Sequence, residues 1–259
     1  MIPEIFIEKW RKNAPWKTLD MVEQDLIINR ALVCLYSNPK IRESLIFRGG
    51  TALNKIYLKP SSRYSEDLDF VQKSAEPIGT TVEAIRSALN WLGKPSFAKS
   101  ERSVKLVYKY TSVNNLKMKL KIEINVVEHF QVMDVEESPF SFDSEWFKGS
   151  CVISVNQLEE LMATKIRALY QRRKGRDLFD LWIVFSRNLA NLEETIKIFR
   201  QYCEQEGLII SEKLFRNNLE LKRLNQDFRG DMEILLPNHI KWDFDEVFEY
   251  VQKEIISKV

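Results

Sequence analysis

A chain of 259 residues with 44% hydrophobic content, 15 Phe and 6 Trp can build one large core or two modest ones, which excludes a mainly disordered protein. Its 39 basic and 37 acidic side chains leave a formal charge of +2, so a nucleic-acid contact must rest on a local patch, not on a globally basic surface. Cys34, Cys151 and Cys203 are widely spaced, form no Cys-x-x-Cys pair and have only His129 and His239 as companions, which argues against zinc and for buried thiols in a reducing cytoplasm.

The opening MIPEIFIEKWRKNAPW is too charged for a signal peptide, and no run approaches the roughly 18 apolar residues of a membrane span. A cytoplasmic protein with no membrane partner is the expectation. Residues 3–12 and 19–37 read as helices, the second with Met21, Val22, Leu26, Ile27, Ala31, Leu32 and Leu35 at three- and four-residue spacing before Asn38-Pro39. Residues 45–48 read as a short strand that enters a Gly49-Gly50 turn, followed from Thr51 by a short amphipathic helix carrying Ala52, Leu53, Ile56 and Tyr57.

Residues 66–72 then read as an acidic strand. On a strand alternate side chains share a face, so Asp67 and Asp69 project together, about 6–7 Å apart, while Leu68 and Phe70 face the core. Two carboxylates on one face suit Mg²⁺, which takes oxygen ligands and is usually held by one or two carboxylates plus substrate phosphates. An isolated Asp-x-Asp is more often a solvated strand end; the Gly-Gly turn just upstream, whose backbone can approach a triphosphate, is what lifts this one.

Thr81 to Trp91 reads as a helix stopped by Gly93-Lys94-Pro95. Residues 103–111 and 117–127 alternate and are joined by Ser112-Val113-Asn114-Asn115, the pattern of a β-hairpin. In its second strand Met118, Leu120, Ile122, Ile124 and Val126 share one face and Lys119, Lys121, Glu123 and Asn125 the other. Periodicity leaves Glu123 either an ordinary polar-face glutamate or a third acidic group beside Asp67 and Asp69. Residues 128–153 read as irregular, and we place a boundary there, with one domain over 1–150 and a helical one over 151–259.

In the second part, Asn156 and Glu159 resemble a capping box, and Leu158, Leu161, Met162, Ile166, Leu169 and Tyr170 form an apolar stripe. Lys165 lies within that stripe, where it must reach solvent along its stem or meet an anion. The basic run 172–176 suits either an RNA backbone or a helix C-terminus decorated with cations. Asp177 suits an N-cap, with Asp180 favourable in the first turn of the next helix. Residues 190–206, 211–227 and 243–257 read as further amphipathic helices.

Arg48-Gly49-Gly50-Thr51-Ala52-Leu53 with Arg63-x-Ser65-x-Asp67-Leu68-Asp69-Phe70 resembles the AbiEii/AbiGii family of nucleotidyltransferase toxins of type IV toxin–antitoxin systems. The segment Lys-Ile-Glu-Ile-Asn around Glu123, and Leu-Met-Ala-x-Lys-x-Arg-Ala-Leu followed by Arg-Asp-x-x-Asp-Leu-Trp, resemble the same family. Sixteen residues separate Gly50 from Asp67, longer than is common in the wider superfamily. The resemblance implies an α/β (α+β) fold, a nucleotidyltransferase mixed-sheet domain with a C-terminal helical domain. It implies Mg²⁺ or Mn²⁺ on Asp67, Asp69 and Glu123, and an NTP held by Gly49, Gly50, Thr51, Arg63 and Ser65. Lys165 is implied as a triphosphate contact and Asp177 as its catalytic companion, with Asp180 the alternative to Asp177. Transfer of an NMP to an acceptor such as the 3′ end of tRNA, with a cognate antitoxin encoded alongside, is implied as the function. Nucleotidylation of a protein or small-molecule hydroxyl, and a non-catalytic nucleotide-binding module, are the rival readings.

Overall fold

A computed structural model describes residues 2–259, as two compact units, one running to Asn156 and the other starting at Gln157. No helix among the described residues is long and apolar enough to cross a membrane. Helices α1 (Glu4–Trp10) and α2 (Leu19–Tyr36) open the first unit. Thr18 caps α2 by accepting the Met21 N–H, and Asn38 caps α3 (Pro39–Ser44) by accepting the Lys40 N–H. The Asn38-Pro39 pair that stops α2 thus starts another helix, because proline lacks only an N–H that the first turn leaves unbonded.

Strand β1 (Leu45–Arg48) runs into α4 (Gly49–Ala52), which continues as one wide π-type turn through Tyr57. Lys55 on that turn pairs with Asp25 of α2 at 2.6 Å, and Asp25 also accepts from the indoles of Trp10 and Trp16 and from Asn29. This buried carboxylate has donors on every side, so its desolvation is offset, and it pins the glycine-rich turn to the central helix.

The sheet continues with β2 (Asp67–Gln72), then, after α5 (Gly79–Ala88), with β3 (Ser96–Lys99), β4 (Ser103–Thr111), β5 (Lys117–Asn125), β6 (Glu136–Asp143) and β7 (Lys148–Val155). Among the described residues it is seven-stranded, in the order β3-β4-β5-β2-β1-β7-β6. β2 pairs with β5, and β1 with β7, in parallel; the other pairs are antiparallel. The mixed α/β class expected from the sequence is the class adopted.

Alternation decides which way each strand faces. Leu68 and Phe70 of β2, Val104, Leu106 and Tyr108 of β4, and Leu120, Ile122 and Ile124 of β5 are buried, whereas the residues between them reach solvent in part. The β4–β5 turn closes with Asn115 at φ 60°, a left-handed conformation that asparagine tolerates. The segment 128–153, read from sequence as irregular, instead holds the β6–β7 hairpin. Ser138, Phe140 and Phe142 alternate toward the core, an order that Pro139 disguises in the sequence, and Pro139 is tolerated because β6 is an edge strand. The edge strand β3 is likewise unannounced, its four residues all exposed.

In the second unit come α6 (Leu158–Gln171), α7 (Gly175–Phe185), α8 (Leu192–Gln205), α9 (Glu212–Arg223), α10 (Gln226–Gly230) and α11 (Phe244–Tyr250). The capping box expected at Asn156 is absent: Gln157 is the N-cap, its side chain making no capping hydrogen bond, and Glu159 instead accepts the N–H of Asn191 ahead of α8. Asp177 is not an N-cap either, because α7 begins two residues earlier and buries it.

A buried ion cluster joins α6 to α7. The Lys165 ammonium lies 3.1 Å from Asp177 Oδ1 and 2.8 Å from Asp180 Oδ2, both aspartates being fully buried. Arg172 closes on Asp177 from outside, Nε to Oδ2 at 2.7 Å and Nη2 to Oδ1 at 2.8 Å. Burial alone would push Asp177 up, but the Lys165 charge and the Arg172 hydrogen bond hold it at about 2. Its folded pKa is depressed, so its stabilisation is present above the ordinary carboxylate value of about 4 and is lost as pH falls toward 2. Lys165→Met strands two buried carboxylates and is expected to cost about 3–5 kcal/mol, the usual penalty for halving a buried pair. Denaturant titration of both proteins at neutral pH checks this, and equal midpoints would show that water, not Lys165, balances Asp177 and Asp180.

Candidate active site

The site is built where β1 ends. Gly49 has φ +81°, and a Cβ there would lie 2.5 Å from Asp69 Oδ2. Both the left-handed backbone and the missing side chain are therefore required for Asp69 to sit against the turn. A Cβ on Gly50 would lie 2.3 Å from Nη2 of Arg63, so the second glycine makes room for a buried guanidinium.

Thr51 follows, buried at 1% exposure. Its hydroxyl donates to the Asp67 carbonyl, which leaves Ser65 Oγ, 2.7 Å away, as the donor between the two hydroxyls. Asn54, which sequence reasoning passed over, organises the loop before β2. Its Nδ2 donates to the Gly50 carbonyl at 3.0 Å, and its Oδ1 accepts the N–H groups of Ser62 and Arg63 at 3.0 and 3.2 Å. The signal was there: Asn54 is a polar residue inside an apolar helical run, and buried amides of that kind are commonly found satisfying loops.

Register brings the acidic groups together. Asp69 is the Cα partner of Glu123 across the parallel β2–β5 pair, Asp67 is the partner of Lys121, and Arg48 is the partner of Asp69 across β1–β2. Asp67, Asp69 and Glu123 thus share one face with Gly49, Gly50, Thr51, Arg63 and Ser65 beside them. The two lysines were not singled out from sequence. Lys121 Nζ lies 2.8 Å from Asp67 Oδ2 and 3.4 Å from Glu123 Oε2, and Lys105 Nζ lies 3.0 Å from Glu123 Oε1. Burial pushes the Glu123 carboxyl up, but the Lys105 hydrogen bond and the Lys121 charge outweigh it and hold it below its ordinary value. Burial likewise disfavours the Lys121 charge, and the Asp67 hydrogen bond with the three carboxylates raises its pKa regardless.

The donor set fits a divalent cation of the oxygen-seeking kind. Asp67 and Asp69 project together from β2, and a cationic ammonium already rests on Asp67. Among the described residues no three Asp, Glu, His or Cys side chains are gathered as a metal-holding group, Glu123 having both oxygens directed to lysines. Arg48 is taken up by Glu128 at 2.8 Å. Lys165 and Asp177 belong to the second unit, where they meet each other and Asp180. Within the basic run, Arg172 is tied to Asp177 and Arg176 to Asp231, so half of its four cations are committed inside that unit.

No curated protein matches the sequence. Two solved structures share the fold: MenT4, a nucleotidyltransferase toxin from Mycobacterium tuberculosis H37Rv, at 14% identity and TM-score 0.61 over all of this chain and 91% of that one, and a crystal structure described as a candidate nucleotidyltransferase from H. pylori, at 20% identity and TM-score 0.51 over 92% of this chain and 95% of that one. At these identities they speak for the fold alone. The family model described as nucleotidyl transferase AbiEii toxin, type IV TA system, matches residues 30–250, most of the sequence and both units, and the chain belongs to that family of nucleotidyltransferase toxins.

Proposed function

We propose that the chain transfers a nucleoside monophosphate from an NTP to a terminal hydroxyl of a nucleic-acid acceptor, such as the 3′ end of tRNA, with release of pyrophosphate. The observation that carries this reading is the register of β2 with β5, which sets Asp67, Asp69 and Glu123 on one face beside a glycine turn with no room for side chains. In the proposed reaction the acceptor oxygen attacks the α-phosphorus, the bond from that phosphorus to the bridging oxygen breaks, and pyrophosphate departs with the bonding electrons.

Asp67 and Asp69 are the residues proposed to hold Mg²⁺ or Mn²⁺. When bound, such an ion supplies charge neutralisation for the phosphate oxygens. Glu123, kept ionised by Lys105 and Lys121, is proposed to take the proton of the acceptor hydroxyl. Gly49 and Gly50 are proposed to offer backbone N–H groups to phosphates, with Asp69 packed against the first and Arg63 and Ser65 against the second, and Thr51 fixes where β2 begins. We assign Lys165 and Asp177 a supporting role through the charge balance of the helical unit. Action in the bacterial cytoplasm, neutralised by a cognate antitoxin, completes the proposal.

The direct test is incubation of the purified chain with each labelled NTP, Mg²⁺ and total RNA. Label in RNA is the expected result; label in protein alone overturns the acceptor. Asp67→Asn and Asp69→Asn are each expected to cut transfer by more than a hundredfold with the fold intact, and a variant keeping a tenth of wild-type activity, a loss of only about 1.4 kcal/mol in the barrier, would remove its aspartate from the site. Glu123→Gln is expected to slow transfer while leaving NTP affinity near wild type, and to flatten the acid limb of the pH–rate profile; an unchanged rate returns Glu123 to the role of a strand-face glutamate paired with lysines. Gly49→Ala is expected to abolish activity, since the methyl group collides with Asp69 and the backbone is strained at φ +81°. Full activity in Gly49→Ala would show that Asp69 has freedom to move away.

A further inference from the structure

The face of the sheet that carries the carboxylates does not stop at Glu123. Residues directly opposite one another in an antiparallel ladder share a face. The register Lys105↔Glu123, Val107↔Lys121, Lys109↔Lys119 and Thr111↔Lys117 therefore extends the acidic face along the β4–β5 hairpin as a strip of five lysines. Among the described residues of these two strands, Glu123 is the only acid on that face. The opposite face is apolar and buried, so the charges cannot be reassigned by a change of register without exposing Leu120, Ile122 and Ile124.

Lys105 and Lys121 are occupied by Glu123 and Asp67. Lys109, Lys117 and Lys119, further out, are exposed and have no carboxylate partner among the described residues. Lys109 and Lys119 stand directly opposite one another, a like-charged cross-strand pair that destabilises the isolated sheet. In a chain whose net charge is only +2, this is a concentrated and uncompensated positive field. Its geometry is regular as well. Lys117, Lys119 and Lys121 recur every second residue along one strand, about 6.7 Å apart, the order of the spacing between successive phosphates of an extended polynucleotide.

We propose that the open face of the β4–β5 hairpin, through Lys109, Lys117 and Lys119, seats the phosphodiester backbone of the single-stranded end of a polynucleotide acceptor and leads that end toward Asp67, Asp69 and Glu123. The inference rests on the nucleotidyl-transfer reading and adds the acceptor's path to it. Charge complementarity selects the occupant: a row of ammonium groups without acids matches a repeating anion, and its continuity with the carboxylate face gives the terminal hydroxyl a place to arrive. Lys105 and Lys121 offset two of the three carboxylate charges at the inner end, which weakens the repulsion that an anionic chain meets there.

The test compares the wild type, the triple variant Lys109→Ser/Lys117→Ser/Lys119→Ser and its charge-keeping counterpart with Arg at the same positions. Binding of a 5′-fluorescein single-stranded RNA of about 12 nucleotides, within the range of known single-strand sites, is followed by anisotropy across salt concentrations. Losing three phosphate contacts is expected to flatten the slope of log affinity against log salt by about 2, and to weaken binding at least tenfold at about 50 mM salt. The Arg variant is expected to keep wild-type affinity and slope. Melting temperature is expected to stay level or rise in the Ser variant, since the Lys109–Lys119 repulsion is gone. An unchanged salt slope in the Ser variant overturns the proposal. So does a polyglutamate probe that binds the wild type as tightly as RNA and is lost in the same variant, which would mark the face as a seat for an acidic protein. Pyrophosphate release from NTP by the wild type is measured in parallel. Its absence sinks the transfer reading, whereas its presence with unaltered RNA binding in the Ser variant sinks only the lysine path.

Discussion

The parallel pairing of β2 with β5 is the constraint on which the candidate site depends. With a period of two on each strand, one register puts Leu68, Phe70, Ile122 and Ile124 into the core and Asp67, Asp69, Lys121 and Glu123 outside. A slip of one residue on either strand would bury charges and expose aliphatics together, so hydrophobic burial itself enforces the carboxylate geometry. Parallel strands need a long connection, and the fold supplies one through α5 and the β3–β4 pair. The glycine turn is then brought beside β2 by the antiparallel β1, where Arg48 opposes Asp69 and the next residue has no side chain to push Asp69 away.

Three acids on two neighbouring strands repel one another, and the chain answers with ammonium groups from the same hairpin. Lys121 reaches from Asp67 to Glu123 and Lys105 covers the remaining oxygen of Glu123. Such half-exposed pairs add little to stability because solvent screens them. Their consequence is electrostatic: Glu123 is held in its ionised form, and two of the three negative charges on this face are offset. Were Asp67 and Asp69 to hold a divalent ion, as proposed, it would supply positive charge to a carboxylate that Lys121 already contacts.

Much of this was legible from sequence because it obeys periodicities. Alternation in 103–111 and 117–127 gave the hairpin and the shared face, and the glycine pair with Asp67 and Asp69 marked the turn and the acidic strand. What escaped has identifiable causes. β3 and β6 are edge strands, with a neighbour on one side only; β3 buries no residue, and the alternation of β6 is interrupted in sequence by Pro139. Asn54 acts through backbone groups of a loop whose course no periodicity encodes. Lys105 and Lys121 are ordinary polar-face residues in one dimension, and their meaning appears only when the cross-strand partner is known.

Lys165 shows how one residue can answer two expectations. An ammonium in an apolar helical stripe must find an anion or reach water, and here it finds two fully buried aspartates. Asp177 is then shared with Arg172, so the pairs of opposite charges interlock across the α6–α7 junction and none can be removed alone without uncovering a buried carboxylate. Loss of activity in a neutral Lys165 variant is therefore meaningful only per folded molecule. Lys165→Arg keeps the charge but replaces a compact ammonium by a planar fork, so it separates charge from geometry. If the cluster acts only by holding α6 and α7 together, transfer in that variant follows its stability, whereas a role for the lysine at phosphate lowers transfer at full occupancy of the folded state.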